Sequence, residues 1–184
     1  FSPELPQCYE LCRLVKSISP DIVTVMGGIH PSTLPKETLS SEPTLDYIIM
    51  SEGEYRLHEF IKRLNNNMNF DEFDGITYRS NDSITVQPAT TRIQDMDQLP
   101  WPARHLLPME KYIKINVPIA PYPRKKRVEV ILTSRGCPFR CTFCASSIYT
   151  GHKFRERSVE NIVNEMKFLV DNYGIEEIQF LDDN

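Results

Sequence analysis

Half of the chain's 14 prolines stand between residues 88 and 123, in a stretch that contains LPWPA and VPIAPYP. Proline lacks a backbone N–H and clashes inside a helix, so this density rules out a regular helix or a central strand there. A chain of 184 residues interrupted in this way is expected to fold as structured segments on either side of a strap. Met96, Leu99, Trp101, Leu106 and Leu107 make that strap apolar enough to lie ordered against a neighbour. The expected organisation is therefore an α/β domain with a hairpin at 1–87, the strap at 88–123 and a second domain at 124–184.

Before the strap, strand and helix periods alternate. Cys8, Leu11, Cys12 and Val15 fall at i, i+3, i+4 and i+7 and predict an amphipathic helix. Asp21 to Met26 (DIVTVM) is short and β-branched and stops at Gly27-Gly28, the pattern of a buried parallel strand feeding a loop. Asp46 to Met50 repeats it, followed by Ser51-Glu52-Gly53-Glu54 and a second helical stripe at Leu57, Phe60, Ile61 and Leu64. Strand, glycine loop and helix in succession are the alternation of a doubly wound sheet, whose ligands bind beyond the carboxyl ends of the strands. From Gly75 the period becomes two, and ITYRS and ITVQ around Asn81-Asp82 read as a β-hairpin appended to that domain.

Beyond the strap, Arg127 to Thr133 is a strand and Ser134 to Gly151 a loop. A helix follows, N-capped by Ser158, with a stripe of Val159, Ile162, Val163, Met166, Leu169 and Val170 and a C-terminal cap at Gly174. Ile175 to Leu181 is the next strand. A single βαβ unit cannot close a barrel, so this second domain reads as cut short and the chain as a fragment.

Composition narrows the function classes. The chain is 40% hydrophobic and 25% charged, with no apolar run near the ~18 residues of a membrane span and no secretory signal in FSPELPQCYE, so a cytoplasmic protein is expected. The net charge of -4 conceals a block from Arg124 to Arg157 with nine basic and two acidic residues. Such a block serves as a solvated face or a nucleic-acid patch, but three of the five cysteines lie inside it, and positive charge favours the ionised, ligating thiolate.

Those three are Cys137-Pro-Phe-Arg-Cys141-Thr-Phe-Cys144, in a loop that follows a strand. A structural zinc site takes four ligands, for which only His152 could complete the set. A four-iron, four-sulfur cluster can accept three thiolates and keep one iron open. The Cys-x-x-x-Cys-x-x-Cys spacing, with Phe143 before the last Cys, resembles the signature of the radical S-adenosylmethionine (radical SAM) superfamily. TSRGCPFRCTFCASS, GHKFRERSVENIVNEM and FLDDN, together with VMGGIHPS, SEGEYRLHEFI, GITYR and DQLPWPARHLLPMEKY upstream, are similar to the subgroup with an N-terminal cobalamin-binding domain.

The resemblance implies the C-terminal part of a doubly wound, Rossmann-like cobalamin-binding domain joined to the start of a radical SAM partial (β/α) barrel. It makes Cys137, Cys141 and Cys144 ligands of a 4Fe–4S cluster whose fourth iron chelates S-adenosylmethionine. One electron from the cluster then cleaves the S–C5' bond, yielding methionine and a 5'-deoxyadenosyl radical. The backbone of Phe143 would meet the adenine, although an aromatic packed beneath the loop fits the sequence equally. The superfamily's usual Gly-Gly-Glu is missing; Asp182 and Asp183 at that strand end could receive the ammonium, or one of them could cap a following helix. Arg155 and Arg157 could pair with the carboxylate or with substrate, or one of them could face solvent. Gly27, Gly28, Glu52, Gly53 and Glu54 would line the cobalamin site, without His30 as a cobalt ligand.

The resemblance points to cobalamin-dependent methylation of an unactivated carbon of a small molecule, with an oxidative cyclisation or rearrangement as the alternative and a zinc or nucleic-acid-binding module as the rival class. A one-electron donor such as flavodoxin or ferredoxin is the expected partner, and nucleic acid is not. Cys8 and Cys12, one helical turn apart on an apolar face, read as small buried hydrophobes. His58 and His105 read as structural.

Overall fold

The structure is a computed structural model that describes residues 2–80, 83–115 and 123–182. In chain order the elements are α1 (Leu5–Ile18), β1 (Val25–Met26), α2 (Ile29–Thr33), α3 (Pro35–Ser41), β2 (Tyr47–Ile49), α4 (Glu54–Asn65), β3 (Ile76–Ser80) and β4 (Ser83–Gln87). They continue with α5 (Met109–Ile115), β5 (Val128–Ile131), β6 (Ser134–Arg135), α6 (Ser146–Tyr149), β7 (Arg155–Glu156), α7 (Val159–Tyr173) and β8 (Glu177–Phe180). The chain divides into two units, one of residues 1–92 and 140–151, the other of residues 93–139 and 152–184.

The first unit is built on one mixed sheet in the order β1-β2-β3-β4, with β1 and β2 parallel and the other two pairs antiparallel. The hairpin is thus no appendage, because β3 pairs along the whole of β2, from Tyr47↔Tyr78 to Ile49↔Ile76. Without it the buried β2 would carry a row of unpaired N–H and C=O groups. The hairpin's turn, Asn81-Asp82, lies outside the described residues. The strand read from Asp21 is shorter than expected, and as an edge strand β1 leaves Val25 exposed, as are Ile22 and Val23 before it.

Aromatic rings fill one side of this unit: Phe60 is fully buried and packs with Phe70, Phe73, Ile49 and Ile76. Burying a ring of that size stabilises by roughly 1.5–3 kcal/mol. A second cluster joins Leu39 of α3 to Leu45, Ile48 and Met50. Helices α2 and α3 were not legible in the proline-bearing IHPSTLPKETLS. Pro31 and Pro35 sit in the first turns of the two helices, where an N–H has no intrahelical partner to lose. Helix α1 forms as expected but is rotated, so that Cys12 and Val15 are half-buried while Cys8 and Leu11, 60% exposed, face outward.

A polar knot closes the base of the hairpin. Arg56 of α4, buried, donates from Nε to the Asp74 carbonyl (2.9 Å) and from Nη1 to the Glu52 carbonyl (2.7 Å), and pairs with the Asp74 carboxylate. Asp74 also accepts from the hydroxyls of Thr90 and Thr91, each at 2.6 Å. Burial opposes the charge on Asp74, but these hydrogen bonds outweigh it and hold the carboxyl well below the usual carboxylate range. Gly75 is required here: its φ is 83°, and a Cβ would stand 2.6 Å from Arg56 Nε.

In the second unit β5 and β8 form a parallel pair with α7 as the crossover, and Val128↔Glu177 to Ile131↔Phe180 set the register. Leu169, Ile131 and Ile175 form its core together with Met109 and Ile113 of α5. That helix lies inside the proline-rich segment, following Pro108; so part of the strap is regular and belongs to this core. Met96 is buried and the Trp101 ring packs tilted against Phe168 (5.6 Å between centroids), whereas Leu106 and Leu107 are exposed. Residues 116–122 of the strap lie outside the described residues.

Helix α7 has the predicted caps, with Ser158 Oγ accepting from Asn161 N (3.1 Å) and Gly174 left-handed at φ 60°. Its buried face differs from the predicted stripe: Val159 is 77% exposed and Glu165 is 1% exposed. Arg104 of the strap, also buried, donates to Glu165 Oε1 (2.7 Å) and to Glu129 Oε1 (2.9 Å), and Arg157 pairs with Glu165 Oε2 at 2.6 Å.

Candidate functional site

At the carboxyl ends of β1 and β2 the first unit opens into a cleft of about 530 Å³. Val25, Met26, Ile49 and Leu57 give it an apolar wall, and Gly27, Gly28, Ser51, Gly53, Glu54 and Tyr149 complete it. Gly28 has φ 103°, a conformation that side chains rarely adopt, and a Cβ built on it would meet no atom within 4 Å. Glycine there is demanded by the backbone and not by crowding, which leaves bare main chain facing open space. A concave apolar wall beside exposed backbone groups suits a large ligand with an apolar face and a polar edge.

Of the residues read as one ligand site, Gly27, Gly28, Gly53 and Glu54 are gathered around this cleft. Glu52 is not, since its side chain is buried. Sequence reasoning missed Ser51, Leu57 and Tyr149 as cleft residues. Ser51 stood in the quoted loop and Leu57 on the helix after it, but nothing local in the sequence places Tyr149 beside them.

The three cysteines follow β5 and β6, and the division between units falls inside their loop, with Cys137 on the side of the second unit and Cys141 and Cys144 on that of the first. None is in a disulfide; Cys137 is half-buried and the other two are exposed. Cys144 N donates to the Cys141 carbonyl (3.2 Å), and Cys144 Sγ accepts from Ser146 N (3.4 Å) at the start of α6. Among the described residues no three His, Cys, Asp or Glu side chains are gathered closely enough to hold a metal ion. Phe143 is 91% exposed and does not pack beneath the loop.

In the second unit the strand end is closed. Asp182 Oδ1 accepts from Thr133 N (2.8 Å) and Ser134 N (2.9 Å), and the Thr133 hydroxyl donates to Oδ2. The carboxylate expected to receive an ammonium is thereby engaged with the backbone where β5 leads toward the cysteine loop. Asp183 lies outside the described residues. Arg155, 4% exposed, turns inward and donates to the Ile93 carbonyl (2.6 Å), because a buried guanidinium must find acceptors nearby. Arg157 is held by Glu165, Asn161 and the Leu132 carbonyl.

An α/β chain with a glycine-floored cleft beyond its strand ends and a three-thiol loop after a later strand has the architecture of a cofactor-binding protein. Residues 1–61 match the B12 binding domain family and residues 131–184 the radical SAM superfamily; the chain belongs to the radical SAM proteins that carry a B12 binding domain. It is 36% identical to an uncharacterized methyltransferase of Pyrococcus horikoshii over 95% of this chain and 36% of that protein. It is 35% identical to the cytidylyl-2-hydroxyethylphosphonate methyltransferase of Streptomyces wedmorensis over 100% of this chain and 38% of the relative. The chain thus spans little more than a third of either.

Among solved structures, the cobalamin-dependent S-adenosylmethionine radical enzyme OxsB with aqua-cobalamin and S-adenosylmethionine bound has a TM-score of 0.76 at 24% identity, over 98% of this chain and 24% of that one. That likeness establishes the fold. Family membership implies a 4Fe–4S cluster, S-adenosylmethionine and cobalamin. The residues present fit these groups: three free thiols are the soft donors an iron–sulfur cluster takes, and the cleft offers bare backbone under open space. No helix among the described residues is long and apolar enough to cross a membrane.

Proposed function

We propose that the full-length protein is a cobalamin-dependent radical SAM methyltransferase acting on an unactivated carbon of a small molecule. The observation that carries this is the contrast in how side chains are used: Asp182 and Arg155 are consumed by hydrogen bonds within the fold, while none of the loop's three thiols is in a disulfide. Two relatives named methyltransferases favour methylation over cyclisation.

In this reading Cys137, Cys141 and Cys144 hold the cluster and leave one iron for the cosubstrate's amino and carboxylate groups. When bound, the cluster supplies the electron that cleaves S-adenosylmethionine, and cobalamin supplies a methyl carrier. The exposed Phe143 offers its backbone to the adenine. Gly27, Gly28, Gly53 and Glu54 cradle the cobalamin, with the wall of Val25, Met26, Ile49 and Leu57 excluding water from its apolar face. Asp182 acts on the backbone of Thr133 and Ser134 and so fixes the strand end from which the cysteine loop departs. Arg155 anchors the segment after that loop to the backbone at Ile93. The electron comes from a flavodoxin- or ferredoxin-type donor, in a cytoplasm whose reducing conditions keep thiols unpaired.

Anaerobic reconstitution of the full-length protein with iron, sulfide and cobalamin tests the reading. A broad visible absorbance from the cluster, retained cobalamin, and 5'-deoxyadenosine and methylated product under a one-electron reductant are expected. Zinc uptake in place of iron would overturn it, and cluster-dependent turnover without methyl gain would replace methylation by cyclisation or rearrangement.

A further inference from the structure

Ser51 has φ 63°, one of only three non-glycine residues with positive φ among those described, and it is buried. Strain at such a position persists only where the surroundings fix it, so its contacts are informative. Its N–H donates to Ser32 Oγ (2.8 Å), and the Ser32 hydroxyl in turn donates to the Gly28 carbonyl (2.6 Å). Its own hydroxyl donates to the Tyr149 carbonyl at 2.6 Å, across 98 residues of sequence. Tyr149 ends α6, the short helix whose first residue, Ser146, donates its N–H to Cys144 Sγ (3.4 Å). A line of hydrogen bonds therefore runs from the glycine floor of the cleft, through two serines, to the arm of the loop that carries Cys141 and Cys144.

We propose that Ser51 is a positioning residue: its left-handed backbone aims the hydroxyl at Tyr149 and thereby fixes α6 and the sulfur of Cys144 for cluster assembly. Helix α6 has four residues, too few to hold itself in water, so an external anchor decides its position. Arg92 supplies a second one, donating from Nη2 to the Ile148 carbonyl (3.1 Å). The Ser51 bond is the shorter and the more buried of the two. The proposal rests on the cluster reading above.

The test compares three substitutions in the full-length protein. Ser51→Gly keeps the N–H bond to Ser32 and relieves the backbone strain, but removes the hydroxyl. Ser51→Asn and Ser51→Asp tolerate the left-handed backbone similarly, yet only Asn can donate to the Tyr149 carbonyl. Hydrogen exchange of the amides of residues 145–151 is measured without metal, and chelator-driven iron loss after reconstitution.

Glycine and Asp variants should exchange about three- to tenfold faster over 145–151 and lose iron faster by a similar factor, and the glycine variant should do so with an unchanged or raised melting temperature. Asn should restore wild-type behaviour. Wild-type exchange and iron retention in Ser51→Gly, or identical behaviour of Asn and Asp, would overturn the proposal. If even the wild type takes up no cluster, the cluster reading falls and this inference with it, whereas faster exchange in Ser51→Gly would still show that Ser51 holds α6; the two failures are therefore distinguishable.

Discussion

The strand ends of the two units are finished in opposite ways. Beyond β5 and β8, Asp182 takes up the N–H groups of Thr133 and Ser134 and closes the end with charge-assisted hydrogen bonds. Beyond β1 and β2 the main chain of Gly28 faces open space, and the end is a cleft. The cysteine loop extends the contrast, with Cys141 and Cys144 exposed while Arg104, Arg157 and Glu165 are spent in an ion cluster around a buried carboxylate. Groups already engaged hold the fold, and groups left open are available for chemistry.

The largest effect expected from this division is on the cluster. Cys141→Ala should abolish cluster assembly, because two thiolates do not hold the cube, while thermal stability without metal changes by at most ~0.5 kcal/mol, as for other exposed sites. Near-normal iron content in that variant would break the comparison at its open side.

Glu165→Ala should do the reverse. It removes the carboxylate shared by Arg104 and Arg157, which are buried or nearly so; breaking a buried pair costs about 3–5 kcal/mol, and the remaining bonds of Arg104 to Glu129 and of Arg157 to Asn161 place the expected loss at the lower end. Denaturant unfolding of the full-length protein reads this loss. A variant as stable as the wild type would mean that water replaces the carboxylate.

Asp182→Asn sharpens the closed strand end, since it keeps size and one acceptor but removes the charge. A loss of about 1.5–3 kcal/mol is expected for hydrogen bonds to a charged group. If Asp182 is a clamp, S-adenosylmethionine affinity should fall by no more than about threefold; a loss on the order of a hundredfold with full stability would make it the ammonium site instead.

The smallest effect is read by acid. Because the folded Asp74 carboxyl is held below its ordinary value, its stabilising contribution is complete above the unfolded pKa of about 3.9 and disappears as pH falls toward the folded value. Asp74→Asn should flatten the fall in melting temperature below about pH 4. An unchanged acid slope would show that other carboxylates dominate.

The βα alternation, the hairpin and the capped α7 were legible because periodicity and caps are local signals. The cysteine loop was legible for the same reason, since all three thiols lie in one short segment. The faces were read less well. The stripe predicted for α1 put Cys8 and Leu11 inward, whereas which side of a helix is covered depends on what packs against it. Helix α5 formed in a proline-rich segment because its first residue follows Pro108 and its apolar residues Met109 and Ile113 found a core.

The sequence by itself determined that this chain combines an α/β segment ending in glycine loops with a three-cysteine loop of radical SAM spacing, since both motifs are written in consecutive residues. Only the tertiary structure decided that Arg155 turns to a carbonyl, that Asp182 clamps a strand end, that Glu165 is buried with two arginines, and that Ser51 reaches Tyr149. A titratable or hydrogen-bonding side chain carries the same letter whether it is spent on the fold or left for a ligand. Which of these it becomes depends on the donors and acceptors that distant segments bring within about 3 Å, and no local pattern records that.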